Sequence, residues 1–254
     1  MEVHNHTHTD DPDIRRGKKK FTHYLWEFLM LFLAVFCGFI AENIREHKVE
    51  NDRAKQLLHS LITDIQADVI QLDHVIAGRD RKALEMDSVS YLLNSNLDKT
   101  NGNSLYFNAV HVGRRLDVIF VPNDGTMIQL KNAGGLRLIR NQKVVDSVMK
   151  YDLAVRNNIA LSQIELGSVD HYRMISSRVF DGTIFDRILD INNTATRPTY
   201  NPQLLPHDNL AMDDLIGSLH YLKTVNHGLR GSYNNLRRLA VSVIKTIKDE
   251  YHIN

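Results

Sequence analysis

Cysteine is almost missing from this chain: among 254 residues only Cys37 carries a thiol, and it sits inside an apolar run. Everything after it therefore has no internal disulfide, no cysteine nucleophile and no thiolate metal site, and a thiol-free domain suits an oxidising compartment outside the inner membrane. An excess of either charge is missing as well. The chain holds 31 basic and 30 acidic residues, and the first twenty positions carry five of the former and four of the latter, so the remainder sums to about zero. Such balance lacks the basic footprint that a phosphate backbone requires, which argues against nucleic acid as a partner. The segment MIQLKNAGGLRLIRNQKVVDSVM can be forced into a helix-turn-helix, but the neutral charge and the expected export oppose that reading.

Catalytic motifs are absent too. No P-loop, dinucleotide fingerprint, HExxH, GxSxG or EF-hand pattern occurs, so no enzyme activity and no cofactor is expected. His4, His6 and His8 alternate in the N-terminal tail, where nothing fixes a ligand geometry. The other histidines are scattered, and His220 and His227, two turns apart, have no carboxylate three or four residues on to complete a metal site.

What is present is one long hydrophobic run. Tyr24 to Ala41 reads YLWEFLMLFLAVFCGFIA, with Glu27 its single charge. As a helix it spans roughly 27 Å, close to the ~30 Å of a bilayer's hydrocarbon, and Tyr24 and Trp26 stand where an interfacial aromatic belt would. The sequence thus divides into a disordered basic, histidine-containing tail over 1–20, a transmembrane helix over 21–44 and a helical soluble domain over 45–254. A cleaved signal peptide fits poorly, because Glu27 interrupts the run and no small-x-small site follows it. A buried core helix would keep a polar face, and Phe28 to Ala41 has none beyond Cys37 and Gly38. Five basic residues from Arg15 to Lys20 precede the run, whereas Arg45, Lys48, Arg53 and Lys55 behind it are interleaved with acids. The positive-inside rule then expects a single pass through the inner (cytoplasmic) membrane, with a cytoplasmic N-terminus and a periplasmic domain.

Glu27 is a functional candidate because ionisable groups inside a span are costly, and His23 lies one turn earlier on the same face. The pair could relay protons or line an oligomeric pore; alternatively Glu27 snorkels to the headgroups or meets Lys19, Lys20 or His23. Ala34 and Gly38 form a small-xxx-small pair that permits close helix contact.

Beyond the span, Leu58, Leu61, Ile65, Val69, Leu72 and Ile76 recur at spacings of three and four and predict a long helix continuing from the membrane helix. Ala83, Leu84, Met86, Val89, Leu92 and Leu93 extend it past a bend at Gly78, before NSNLDKTNGNS makes a loop. Periodicity is poor from Leu105 to Phe120, and LDVIFV resembles a stray strand. VPNDGT predicts a turn leading into a short helix over Thr126 to Ala133, closed by Gly134 and Gly135. Glycine closing a helix is preferred there to an anion-binding turn with Arg137 and Arg140. Asn141 opens a second long helix from Gln142 to about Phe180, with Val145, Val148, Val155, Ile159, Leu166 and Val169 facing inward. The proline-rich linker DINNTATRPTYNPQLLPHDN breaks the chain, and Asp208 caps a third long helix that runs to the terminus. The expected fold is all-α, an N-terminal transmembrane helix continuing into a long helix of an antiparallel helical bundle, with coiled-coil character.

Two stretches, HYLWEFLMLFLAVFCGFIAENIREHK running into KQLLHSLITDIQADVIQL, and GTMIQLKNAGGLRLIRNQKVVDSVMKYD, resemble a group of uncharacterised single-pass membrane proteins of Bacteroidetes-type bacteria. Glu27, the Ala41-Glu42 exit and the Gly134-Gly135-Leu136 turn carry the likeness. It implies a membrane-anchored helical domain of unknown function and supplies no catalytic residue. The functional expectation is a scaffold or interaction subunit in the lipid bilayer, a homo-oligomer or bound to another membrane or periplasmic protein. The alternative is a sensor or gating subunit that uses Glu27.

Overall fold

The computed structural model describes residues 13–95, 101–114 and 118–253. It divides into two units, Met1–Arg53 and Ala54–Asn254, and the division falls within the first helix, α1 (Asp13–Asn94). The backbone is helical from Asp13, seven residues before the tail was expected to end. Once a helix is nucleated, each further residue adds a hydrogen bond at little cost, and Lys and Arg are good helix formers. The rest of the tail, with His4, His6 and His8, lies outside the described residues. Gly78 does not end or break α1.

The second unit is all helical, with no strand among the described residues beyond an isolated bridge between Leu189 and Ala195. Its helices after α1 are α2 (Gly102–Val112), α3 (Gly125–Asn132), α4 (Gln142–Ser176), α5 (Gly182–Ile188) and α6 (Asn209–Tyr251). Three long ones make the bundle. Their buried positions recur every seven residues, the spacing that keeps a seam facing a partner helix. On α1 these are Leu58, Ile65, Leu72, Arg79, Met86 and Leu93; on α4 Val144, Tyr151, Asn158, Glu165 and Tyr172; on α6 Leu215, Leu222, Leu229, Leu236 and Val243.

Salt bridges give the directions. Asp73, Asp80 and Asp87 of α1, each seven apart, pair with Arg237, Arg230 and Lys223 of α6, so these helices run antiparallel. The start of α4 meets the end of α6, where Glu250 accepts from Asn141 Nδ2 at 2.7 Å and Lys143 Nζ at 2.6 Å. Lys143 and Glu250 each hold the other charged, raising the ammonium's pKa and lowering the carboxyl's. The α4 and α6 starts are capped as the sequence predicts: Asn141 Oδ1 accepts from Lys143 N at 3.0 Å, and Asp208 Oδ1 from Ala211 N at 2.8 Å.

The expected inward set needs correction. Ile159 is 41% exposed, Leu166 37% and Leu84 67%. The seven-residue seam of α4 passes instead through Asn158 and Glu165, polar residues that an apolar stripe skips. Helices α2 and α5 were also missed. Helix α2 contains Gly, Ser and two Asn, all weak helix formers, and buries Leu105, Tyr106, Ala109, Val110 and Val112, so packing rather than propensity stabilises it. LDVIFV is not a strand over its described residues.

The segment before α3 and the first turn of α3 are fastened to α1 by side chains. Gln71 Oε1 accepts from Val121 N at 3.1 Å, and Asp64 Oδ2 accepts from Thr126 N at 3.2 Å. Buried Asp68 accepts from Asn123 N at 2.8 Å, Asn123 Nδ2 at 2.9 Å and Tyr151 Oη at 2.6 Å. Burial, followed by the adjacent Asp68 carboxylate, pushes the Tyr151 phenol well above its ordinary range. After α3, Gly134 turns the chain at φ +66°, a left-handed conformation that favours glycine. At Gly102 the constraint is space: a Cβ there would lie 2.0 Å from the Pro202 carbonyl oxygen.

Candidate functional site

Three features of the described residues carry chemistry. The first is the bare apolar helix. From Tyr24 to Ile40 every large apolar side chain is at least 40% exposed, all round the helix. Leaving such a side chain in water costs about 1.5–3 kcal/mol, so about a dozen of them would outweigh the roughly 5–15 kcal/mol that stabilises a whole domain. This is the one helix among the described residues long and apolar enough to cross a membrane. His23 and Glu27 meet on its surface, Nε2 to Oε1 at 3.1 Å, both more than half exposed. The structure thus brings the two sequence candidates together, in a local pair that partners the glutamate within its own helix.

The second feature is a polar layer inside the bundle, between two apolar clusters. One cluster gathers Leu57 to Val75 with Val144 to Val155 and Leu229 to Ile247. The other gathers Met86 to Leu93 with Val169 to Ile175 and Leu215 to Leu222. Between them Arg79 and Glu165, both 0% exposed, form a bidentate pair, Nη1–Oε1 at 3.0 Å and Nη2–Oε2 at 3.1 Å. Nη1 also donates to Asn226 Oδ1 at 3.1 Å and Nη2 to the Val118 carbonyl at 2.9 Å. Asn226 Nδ2 donates back to the Arg79 carbonyl at 3.1 Å, and the guanidinium lies 5.0 Å from the Tyr233 ring centroid. Burying a charge is tolerable only when it is paired and its other hydrogen-bonding positions are filled. Here α1, α4 and α6 each supply one buried polar residue at the same level of the bundle, and within this layer only Arg79 Nε is left without a partner.

The third is a cavity of about 590 Å³ among α2, the end of α4 and the start of α5. Ala109 and Val110 of α2, with Phe180 and Phe185, give it apolar walls. Tyr172, Arg173 and Ser176 come from the last turns of α4, Ser177 follows it, and Arg114 follows α2. The hydroxyls of Tyr172 and Ser176, on side chains 2% and 6% exposed, have no hydrogen-bond partner. Burial pushes the Tyr172 phenol well above its ordinary range, and the neighbouring Ser176 hydroxyl opposes this. Arg173 is fixed at the rim, its Nε donating to the Gly113 carbonyl at 2.9 Å and Nη1 to Asp170 at 3.1 Å.

Sequence reading missed both the cavity and the polar layer. A usable signal for the layer was the interruption of all three apolar repeats, at Arg79, Asn158 to Glu165, and Asn226. The cavity had none, since it depends on α2 and α5. The exposed His220 and His227 remain solvent-facing, and among the described residues no group of three metal-ligating side chains gathers. No family model, curated protein or solved structure matches the chain.

Proposed function

We propose that this protein is a non-catalytic, single-pass membrane subunit that works by association, with its helical domain on the periplasmic side of the inner membrane. One observation carries the reading. On the solvent side of α1, Ile70, Ala77, Leu84 and Tyr91 are exposed and seven residues apart, with Ala67, His74, Arg81 and Ser88 interleaved at spacings of three and four. Outer positions of a bundle helix are ordinarily polar. An apolar residue exposed at every seventh position on the outside of a helix already packed within its own bundle is the pattern of a coiled-coil surface. The occupant it fits is a second copy of this chain. Two copies anchored through the same segment of the same helix enter the bilayer in one orientation, which brings identical seams together in parallel and in register. Helix α4 has a further uncharged strip, Leu153, Ala160, Leu161 and Ile164, exposed on its outer face and suited to a different partner.

Because Cys37 is the only thiol, a Cys37→Ala background allows a direct test. In membranes, Ala77→Cys and Leu84→Cys are expected to give disulfide-linked dimers under mild oxidation, and Asn235→Cys on exposed α6 is not. Adding Ile70→Glu to Leu84→Cys should abolish the product. A chain that stays monomeric in every variant, or that crosslinks equally at residue 235, overturns the reading.

A second reading rests on the His23–Glu27 contact: a sensing or gating role for that pair within the membrane. Glu27→Gln should then remove the activity of the native complex at unchanged abundance, and an unaffected phenotype rejects it.

A further inference from the structure

We propose that the cavity among α2, α4 and α5 binds a small amphipathic carboxylate, an apolar body with one acidic head, of the fatty-acid class. Two unpartnered hydroxyls stand on its wall. A buried hydroxyl without a hydrogen bond carries its full desolvation cost, and native proteins leave few such groups. Tyr172 and Ser176 are four residues apart on α4 and therefore on one face, and both line the same cavity. Two such groups side by side on the wall of an otherwise apolar cavity are donors for a single acceptor group.

Charge decides which acceptor. Among the described residues the titratable groups lining the cavity are Arg114, Arg173 and the Tyr172 phenol, with no carboxylate. Asp170, the nearest acid to these on α4, is engaged with Arg173. Arg114 has no side-chain partner among the described residues, whereas Arg173 is pre-positioned by Gly113 and Asp170. An anion entering here would accept from the hydroxyls while two guanidiniums supply the countercharge, and bonds to an ionised acceptor are about twice as strong as neutral ones. The opposite walls, Ala109, Val110, Phe180 and Phe185, offer nothing but apolar surface. They select an apolar body over a free inorganic anion or a sugar acid. The volume of about 590 Å³ lies within the roughly 300–1,000 Å³ of small-molecule sites.

The test uses the full chain in phosphatidylcholine nanodiscs and carboxyl-¹³C decanoate, with 1-decanol as the neutral control and empty discs to account for partition into lipid. Expected is saturable binding with one site per chain. Tyr172→Phe and Ser176→Ala should each weaken it by about tenfold, and Arg114→Ala by at least as much. Gly113→Leu, whose Cβ would lie 3.9 Å from the Tyr172 ring, should occlude the site. Decanol should bind at least about tenfold more weakly than decanoate. If Gly113→Leu disturbs the fold, Tyr172→Phe still decides, because removing a hydroxyl with no protein partner leaves the packing intact. The proposal is overturned if decanoate binds no better than decanol, if the Tyr172 and Arg114 variants bind like the parent, or if no saturable signal rises above empty discs.

Discussion

Glu165→Ala is expected to lower the unfolding free energy of the protein by about 3–5 kcal/mol, the largest effect of any single polar substitution in the bundle. The cost does not measure how strongly Arg79 and Glu165 attract each other. It arises because the guanidinium remains charged at a fully buried position with Asn226 and the Val118 carbonyl as its remaining acceptors. The control is therefore removal of the whole layer. Arg79→Met, Glu165→Leu and Asn226→Leu together replace it with apolar groups of similar size, and this triple variant is expected to match the parent or exceed its stability. Urea titrations of full-length protein in detergent micelles, followed by helical circular dichroism, separate the two cases. A triple variant as unstable as Glu165→Ala would show that the layer contributes net attraction.

The second large effect is expected at Asp68. Its carboxylate serves three donors at once, and Asp68→Ala leaves the Tyr151 hydroxyl and the Asn123 amide without their acceptor. At about 1–3 kcal/mol for the buried Tyr151 hydroxyl left unsatisfied, with the part-buried Asn123 bonds lost besides, a loss of roughly 3 kcal/mol follows, with loosening of the segment ahead of α3. Asp68→Asn should recover part of it, since its amide oxygen can still accept. The same environment predicts a pH dependence. Burial and Asp68 raise the folded-state pKa of Tyr151, so the folded chain holds this proton more tightly than the unfolded chain does. Its stabilising contribution is complete below the unfolded phenol's pKa of about 10 and drains above it by about 1.4 kcal/mol per pH unit. Tyr172 acts in the same direction. Tyr151→Phe should shorten the alkaline decline, as measured by thermal melts between pH 9 and about 11. An unchanged decline would mean that Tyr151 does not titrate differently in the two states.

The three long helices were legible because their apolar positions repeat along dozens of residues and their caps are local. Asn141 and Asp208 bond to amides two or three residues away, so sequence neighbours suffice to find them. The short helices were not legible, because α2 and α5 exist by virtue of what they cover. The polar layer lies between these cases. Arg79, Glu165 and Asn226 are widely separated in the chain, and each alone reads as a solvated residue on a helix. Only the matching of helix levels reveals that three interruptions coincide. Leu84 shows the converse error, since an apolar residue on an amphipathic helix is presumed inward, and Leu84 is exposed. The pairing of His23 with Glu27 was fully local and visible from the i, i+4 spacing.

The ladder of Asp73, Asp80 and Asp87 against Arg237, Arg230 and Lys223 has a consequence for how the bundle finds its alignment. Since both rows repeat every seven residues, sliding α6 along α1 by two turns would restore two of the three pairs and set most leucines against leucines again. The ladder and the apolar layers are thus nearly blind to that slip. Arg79 is not, because a displaced α6 removes Asn226 from it. The repeated features bring the helices together over their whole length, and one unrepeated polar layer acts as the index mark on an otherwise uniform scale.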